Sequence, residues 1–231
     1  MERHTTKTIW HMFWLNTSIF LLLIPGPVFS QTLLLDRGVS PGGDTRIKAS
    51  LDDGSLMGDD FAIGRDGETW IIDRIRTWVT TNPVSSTDLG TMFQGITFLG
   101  GLANDQAAVE CACHNLLPLK TGTLSEKGSA NPDIVITPGS MPDRWQVDFQ
   151  NFRWSVPGGA KIQFAIRAVP RRNSPRNSTG RLLLTAVPVP GEHSLRIFAQ
   201  DGGFKSFLDK KAPDSRGSLA IAIQVWAHPA L

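Results

Sequence analysis

The chain has 231 residues, 41 % hydrophobic and 19 % charged, with 22 Gly, 15 Pro and a net charge of +2. That balance excludes a disordered or fibrous chain, and the length suits one large β domain or two small ones. So small a net charge gives no field to attract nucleic acid, and none is expected as a partner.

Residues 1–30 have the three-part layout of a cleavable secretory leader. Arg3 and Lys7 supply a basic start, the apolar run is densest from Ile19 to Ile24, and Pro25-Gly26-Pro27 leads to a cleavage site after Ser30. The dense run is too short to cross a bilayer, and Asn16, Thr17 and Ser18 interrupt the longer one. The expectation is a secreted, periplasmic or cell-surface chain that begins at Gln31 and keeps no integral membrane segment.

Residues 31–58 are rich in Gly, Asp and Ser and read as an irregular lead-in. Residues 59–231 read as a single β domain. Phe61 and Ile63 alternate with Ala62 and Gly64, and Asp66-Gly67 signals a turn. From Trp70 to Val79, Ile71, Ile75, Thr77 and Val79 share one parity, while Trp70, Ile72 and Trp78 share the other. Period two is the mark of a strand. Further strands are expected over Met92–Leu99 and Ile134–Ile136. Between Trp145 and Val156 the apolar residues change parity, as at a bulge or at a bend between sheets.

Pro157-Gly158-Gly159 is expected to close a hairpin between 145–156 and 161–169, with Ile162, Phe164, Ile166 and Ala168 inward and Gln163 and Arg167 outward. His193–Ala199 and Ser218–Trp226 complete about eight strands with no helical apolar stripe, which predicts an all-β antiparallel sandwich or jelly roll.

The run Asp59-Asp60-Phe61, Gly67, Trp70, Ile72, Asp73, Ile75 and Trp78 resembles exported bacterial β-sandwich (jelly-roll-like) domains, as do Trp145-x-Val147-x-Phe149 and Trp154-x-Val156-Pro157-Gly158-Gly159. The resemblance covers residues 50–226 and implies fold and export. Domains of that kind are largely without an assigned activity, and no functional residue carries over.

No complete enzyme motif is present. Gly38-Val39-Ser40-Pro41-Gly42 spells Gly-x-Ser-x-Gly, but no helical stripe follows it as a nucleophile elbow requires, and there is no His-Glu-x-x-His helix, no phosphate loop and no dinucleotide fingerprint. A carboxylate pair for glycoside hydrolysis stays open, because spacing in sequence does not give separation in space.

Four local features could carry binding. Cys111, Cys113 and His114 lie within four residues and include both cysteines. They could form a tight disulfide, ligate copper or zinc, or act in thiol redox chemistry. Asp52, Asp53, Asp59 and Asp60 are an acidic stretch that either holds calcium or is solvated turn sequence; no other cofactor is expected. Arg171, Arg172 and Arg176 form a basic stretch that either grips an anionic glycan or phosphate or is a hairpin loop.

Trp70, Trp78, Trp145 and Trp154 sit in alternating strands where core placement is the default. Trp226, on the opposite parity from Ile221, Ile223 and Val225, is the candidate for an exposed ring on which a sugar could stack. The leading expectation is a non-catalytic exported or surface-associated domain that binds extracellular carbohydrate. The alternatives are a metal or redox protein using the cysteine loop, and a structural envelope or matrix component.

Overall fold

The computed structural model describes residues 30–39, 45–46, 55–82, 89–102, 117–125, 128–129, 132–139, 144–171, 181–189, 196–199 and 218–230. In chain order the strands are β1 (Thr32–Arg37), β2 (Thr45–Arg46), β3 (Ser55–Phe61), β4 (Thr69–Asn82), β5 (Phe93–Leu102), β6 (Leu117–Ser125), β7 (Gly128–Ser129) and β8 (Ile134–Pro138). They continue as β9 (Arg144–Phe149), β10 (Trp154–Pro157), β11 (Ile162–Pro170), β12 (Arg181–Val189), β13 (Arg196–Ala199), β14 (Ser218–Ile221) and β15 (Ile223–Pro229). One turn of helix, α1 (Leu89–Met92), precedes β5.

The strands form two antiparallel sheets, and the fold is an all-β sandwich. The larger has nine strands in the order β1-β15-β4-β12-β14, with β9 and β10 also on β4, β8 on β9, and β2 on β12. The smaller has six in the order β13-β3-β11-β5-β6-β7. The long strand β4 organises the larger sheet. β15 and then β12 pair along one of its edges, and β10 and then β9 along the other.

Alternation explains the core. Ile75, Thr77 and Val79 of β4, Val147 and Phe149 of β9, and Ile223, Val225 and Ala227 of β15 are buried. They face Phe61, Phe98, Ile162, Phe164 and Ile166 of the smaller sheet. Phe98 stacks on Phe164 with ring centroids 5.6 Å apart and tilts against Phe149 of the opposite sheet at 5.4 Å. Aromatic pairs of this geometry contribute about 0.5–1.5 kcal/mol each beyond area burial.

The expected face of β4 fails at one position. The pairing with β15 slips so that Trp226 faces Arg74 and Ala227 faces Ile72, which leaves Asp73 as an extra residue. This bulge turns Ile72 inward, fully buried, and leaves Ile71 only half-buried. The parity change between Trp145 and Val156 has a similar origin. Residues 150–153 form a break, with Asn151 at φ 56° and Arg153 at φ 52°, and the Phe152 N–H donates to Asp73 O at the β4 bulge. The strand does not change sheets there, because β9 and β10 both pair with β4.

The expected hairpin between 145–156 and 161–169 is not formed. β10 pairs with β4 in the larger sheet, and β11 lies between β3 and β5 in the smaller. Pro157-Gly158-Gly159 is an arch from one sheet to the other. Gly158 N–H donates to Glu68 O at 2.9 Å and Gly159 N–H to Ile63 O at 2.9 Å, so the arch docks on the preceding turn. Apolar alternation fits either connection, since both strands bury one face.

The lead-in is not irregular throughout. Thr32–Arg37 is an edge strand on β15, and the strand expected from Phe61 runs instead from Ser55 to Phe61. Gln163 points to the outer face as expected, yet it is only 3 % exposed. Residues 1–29 lie outside the described residues, as do most of 40–54.

Candidate functional site

Beyond the Asp73 bulge, Arg74, Arg76 and Trp78 occupy the positions of β4 that alternate with buried Ile75, Thr77 and Val79, so they form its outer face. Register then lines up side chains from four strands. Arg76 is paired with Asp148 of β9 and with Gln224 of β15, which is paired with Asp36 of β1.

Contacts join the line. Arg76 Nε donates to Asp148 Oδ1 at 2.8 Å, and its Nη2 donates to Oδ2 at 3.3 Å. Arg74 Nε and Nη2 donate to Asp148 Oδ1 at 3.0 and 2.9 Å. Gln146 Nε2 donates to Asp148 Oδ2 at 2.9 Å, and Gln224 Nε2 to Asp36 Oδ1 at 2.9 Å. The Asp148 side chain is 4 % exposed, while those of Arg74 and Arg76 are 28 % and 22 % exposed.

Trp226 lies under this cluster. The guanidinium carbons of Arg74 and Arg76 sit 4.4 and 5.2 Å from its ring centroid. The residue is on the outer face, as its parity suggests, but it is half-buried and two cations cover its ring. Its geometry is that of a support for Arg74 and Arg76, held by cation–π attraction, more than of an open platform.

The acidic stretch is divided by the pleat. Asp59 and Asp60 are consecutive residues of β3, not loop residues, and point to opposite faces. Asp59 is fully buried between the sheets, where Oδ2 accepts Ile221 N–H and Oδ1 accepts Asp60 N–H, both at 2.7 Å. Asp60 faces outward and pairs with Lys161 at 3.0 Å. The two carboxylates cannot chelate one calcium ion together. Asp52 and Asp53 lie outside the described residues.

The basic stretch also has a structural member. Arg171 donates through Nε to Gly90 O and through Nη2 to Leu124 O, the latter at 2.7 Å, and so ties α1 to β6. Its fork is aimed at backbone carbonyls, not at an anion. Arg172 and Arg176 lie outside the described residues, as do Cys111, Cys113 and His114. Among the described residues no group of three or more His, Cys, Asp or Glu gathers to hold a metal.

A second feature sits at one end of the larger sheet. The turn from Arg65 to Glu68 and the ends of β4 and β15 enclose an open hollow of about 500 Å³ lined by Gly67, Glu68, Thr69, Trp70, Pro229 and Ala230. Glu68 Oε2 accepts the Arg65 N–H at 2.7 Å and the Trp70 indole N–H at 2.9 Å. These bonds, the backbone one first, hold the Glu68 carboxyl below the usual carboxylate range, so it is ionised. The indole edge lies against Gly64, where a Cβ would stand 2.0 Å from Nε1.

Sequence reasoning overlooked Arg74, Arg76, Asp148 and Glu68. The alternation of Arg74 and Arg76 with Ile75 and Thr77 marks an outward basic pair. Nothing local signals that Asp148, 72 residues from Arg76, meets it.

No protein-family model matches the chain, and no curated protein is significantly similar to it in sequence. None of the helices among the described residues is long and apolar enough to cross a membrane.

Proposed function

We propose that this chain is an exported, non-catalytic β-sandwich of the kind made by bacteria, and that it binds extracellular carbohydrate across the outer face of its larger sheet. The observation that carries the reading is the fixed line Asp36, Gln224, Arg76 and Asp148, with Trp226 beneath the guanidinium groups. Four strands at about 4.8 Å spacing give a polar track about 14 Å long.

Sugar hydroxyls are bound by donors and acceptors that need no reordering, because each side chain immobilised on binding costs about 0.5–1.5 kcal/mol. Here Asp148 orders two guanidinium groups in advance. Arg74 Nη1 has no partner among the described residues and is directed by the same clamp. Export is supported by the layout of residues 1–30, and a non-catalytic role by the lack of any complete enzyme motif.

A broad array of immobilised polysaccharides, probed with wild type, Gln224→Ala and Trp226→Ala, tests the reading. Wild type is expected to bind at least one glycan, and both variants to bind it more weakly while Gln224→Ala keeps the wild-type melting temperature. Absence of binding to every glycan, or equal binding by Gln224→Ala, overturns it.

A further inference from the structure

We infer that the hollow between the Arg65–Glu68 turn and the end of β15 is a separate sugar site, one that takes a single neutral pyranose unit. It shares the ligand class proposed for the sheet face but none of its residues.

Three features of the hollow point to this ligand. The first is an acceptor. Both hydrogen bonds to Glu68 fall on Oε2, and Oε1 has no partner among the described residues. An ionised oxygen held in place by bonds to its neighbour can accept from a sugar hydroxyl, and a charged acceptor makes a shorter and stronger bond than a neutral one.

The second feature is an aromatic wall. Trp70 is half-buried, packs against the core on one side and lines the hollow on the other. Its edge is fixed by Glu68 and by the missing side chain at Gly64. A held indole offers its apolar face to the C–H groups of a pyranose at little ordering cost.

The third is access. No atom lies within 4 Å of where a Cβ would stand at Gly67, so the mouth is open at the turn. Its φ of 87° favours glycine there, which keeps the rim low. Glu68 is the one charged residue of the lining, and its carboxylate disfavours an anionic sugar.

The test is a titration of the full chain with D-glucose, D-galactose, D-mannose and N-acetyl-D-glucosamine, followed through the Trp70 indole N–H resonance. At least one sugar is expected to give a saturable shift. Ala230→Trp, which fills the hollow at a half-exposed position, is expected to weaken that binding about tenfold, a loss of about 1.4 kcal/mol. Glu68→Ala is expected to do the same, and Gln224→Ala on the sheet face to leave it unchanged.

Glu68→Gln guards against misfolding, since its amide oxygen can still accept both N–H groups; its sugar affinity is expected to lie between those of wild type and Glu68→Ala. Four sugars without a saturable shift, or a shift that survives Ala230→Trp, overturn the inference. Saturation by choline in place of any sugar also overturns it and marks the hollow as a cation site. Monosaccharide binding that persists when Gln224→Ala abolishes polysaccharide binding separates this site from the sheet face.

Discussion

Asp59 Oδ2, on the smaller sheet, accepts the backbone N–H of Ile221, on the larger sheet, at 2.7 Å, and neither residue is exposed to solvent. The bond crosses the interior at the point where β14 ends and β15 begins. Arg37 Nη1, from edge strand β1, comes within 3.6 Å of the same carboxylate oxygen. One buried side chain therefore joins three strands that are distant in sequence.

Asp59→Ala is expected to destabilise the fold by about 2–4 kcal/mol, because it leaves a buried N–H without its acceptor and Arg37 without its nearest carboxylate. Lys161→Ala removes the half-exposed partner of Asp60 and is expected to cost less than about 1 kcal/mol. Urea unfolding of the two variants checks the order. Equal losses would mean that the interior bond does not hold the sheets together.

Two glycines separate steric from conformational demand. At Gly158 a Cβ would stand 2.2 Å from Arg65 O, which is backbone and cannot swing away. At Gly67 nothing is within 4 Å, and only the φ of 87° opposes a side chain. Gly67→Ala is therefore expected to cost about 1–2 kcal/mol, the penalty of a left-handed backbone. Gly158→Ala must displace the arch and is expected to cost more, about 2–4 kcal/mol. Thermal melts of both variants check the ranking.

Contacts such as these leave no trace in the local sequence. Strands with clean alternation, such as β11 through Ile162, Phe164 and Ile166, were legible because one face is buried. Two strands with weak alternation were not. Leu182-Leu183-Leu184 of β12 is continuous, and β6 mixes Pro118 and Gly122 with polar residues.

Connections were less legible than strands. Pro157-Gly158-Gly159 turns the chain equally well within a sheet or between sheets, and only its bonds to Ile63 and Glu68 decide. Of the candidate site, the outward position of Trp226 followed from parity. The guanidinium groups over it did not, since their placement depends on the Asp73 bulge and on register with β9.

The Asp148 clamp should behave as a partly buried network and not as a surface pair. Asp148→Ala leaves two guanidinium groups facing each other over Trp226, and is expected to cost about 3–5 kcal/mol. Arg74→Gln leaves Asp148 bound to Arg76 and Gln146 and is expected to cost only about 1 kcal/mol. In the double variant Asp148→Ala with Arg74→Gln, part of the loss should be recovered, because one unpaired cation is gone. Strict additivity of the two single losses would show that the groups do not interact.

Acid should weaken the fold through two carboxyls outside the core. Glu68 is held below the usual range by the Arg65 N–H and then the Trp70 indole; Asp133 is held there by Asn151 and then Lys120. A carboxyl whose value is depressed on folding adds stability that is complete above its ordinary value and lost as pH falls through the depressed one. Glu68→Gln and Asp133→Asn should therefore be less stable than wild type near neutrality and converge on it in acid, with a flatter loss below about pH 4.5. Salt distinguishes the two. The Lys120 attraction to Asp133 is screened, whereas the backbone bond to Glu68 is short-ranged and is not. The gap between wild type and Asp133→Asn should narrow in 1 M salt, and the gap for Glu68→Gln should hold, as read from urea midpoints across the pH series. A Glu68→Gln gap that closed with salt would place the cause in the Arg65 charge instead of in its N–H.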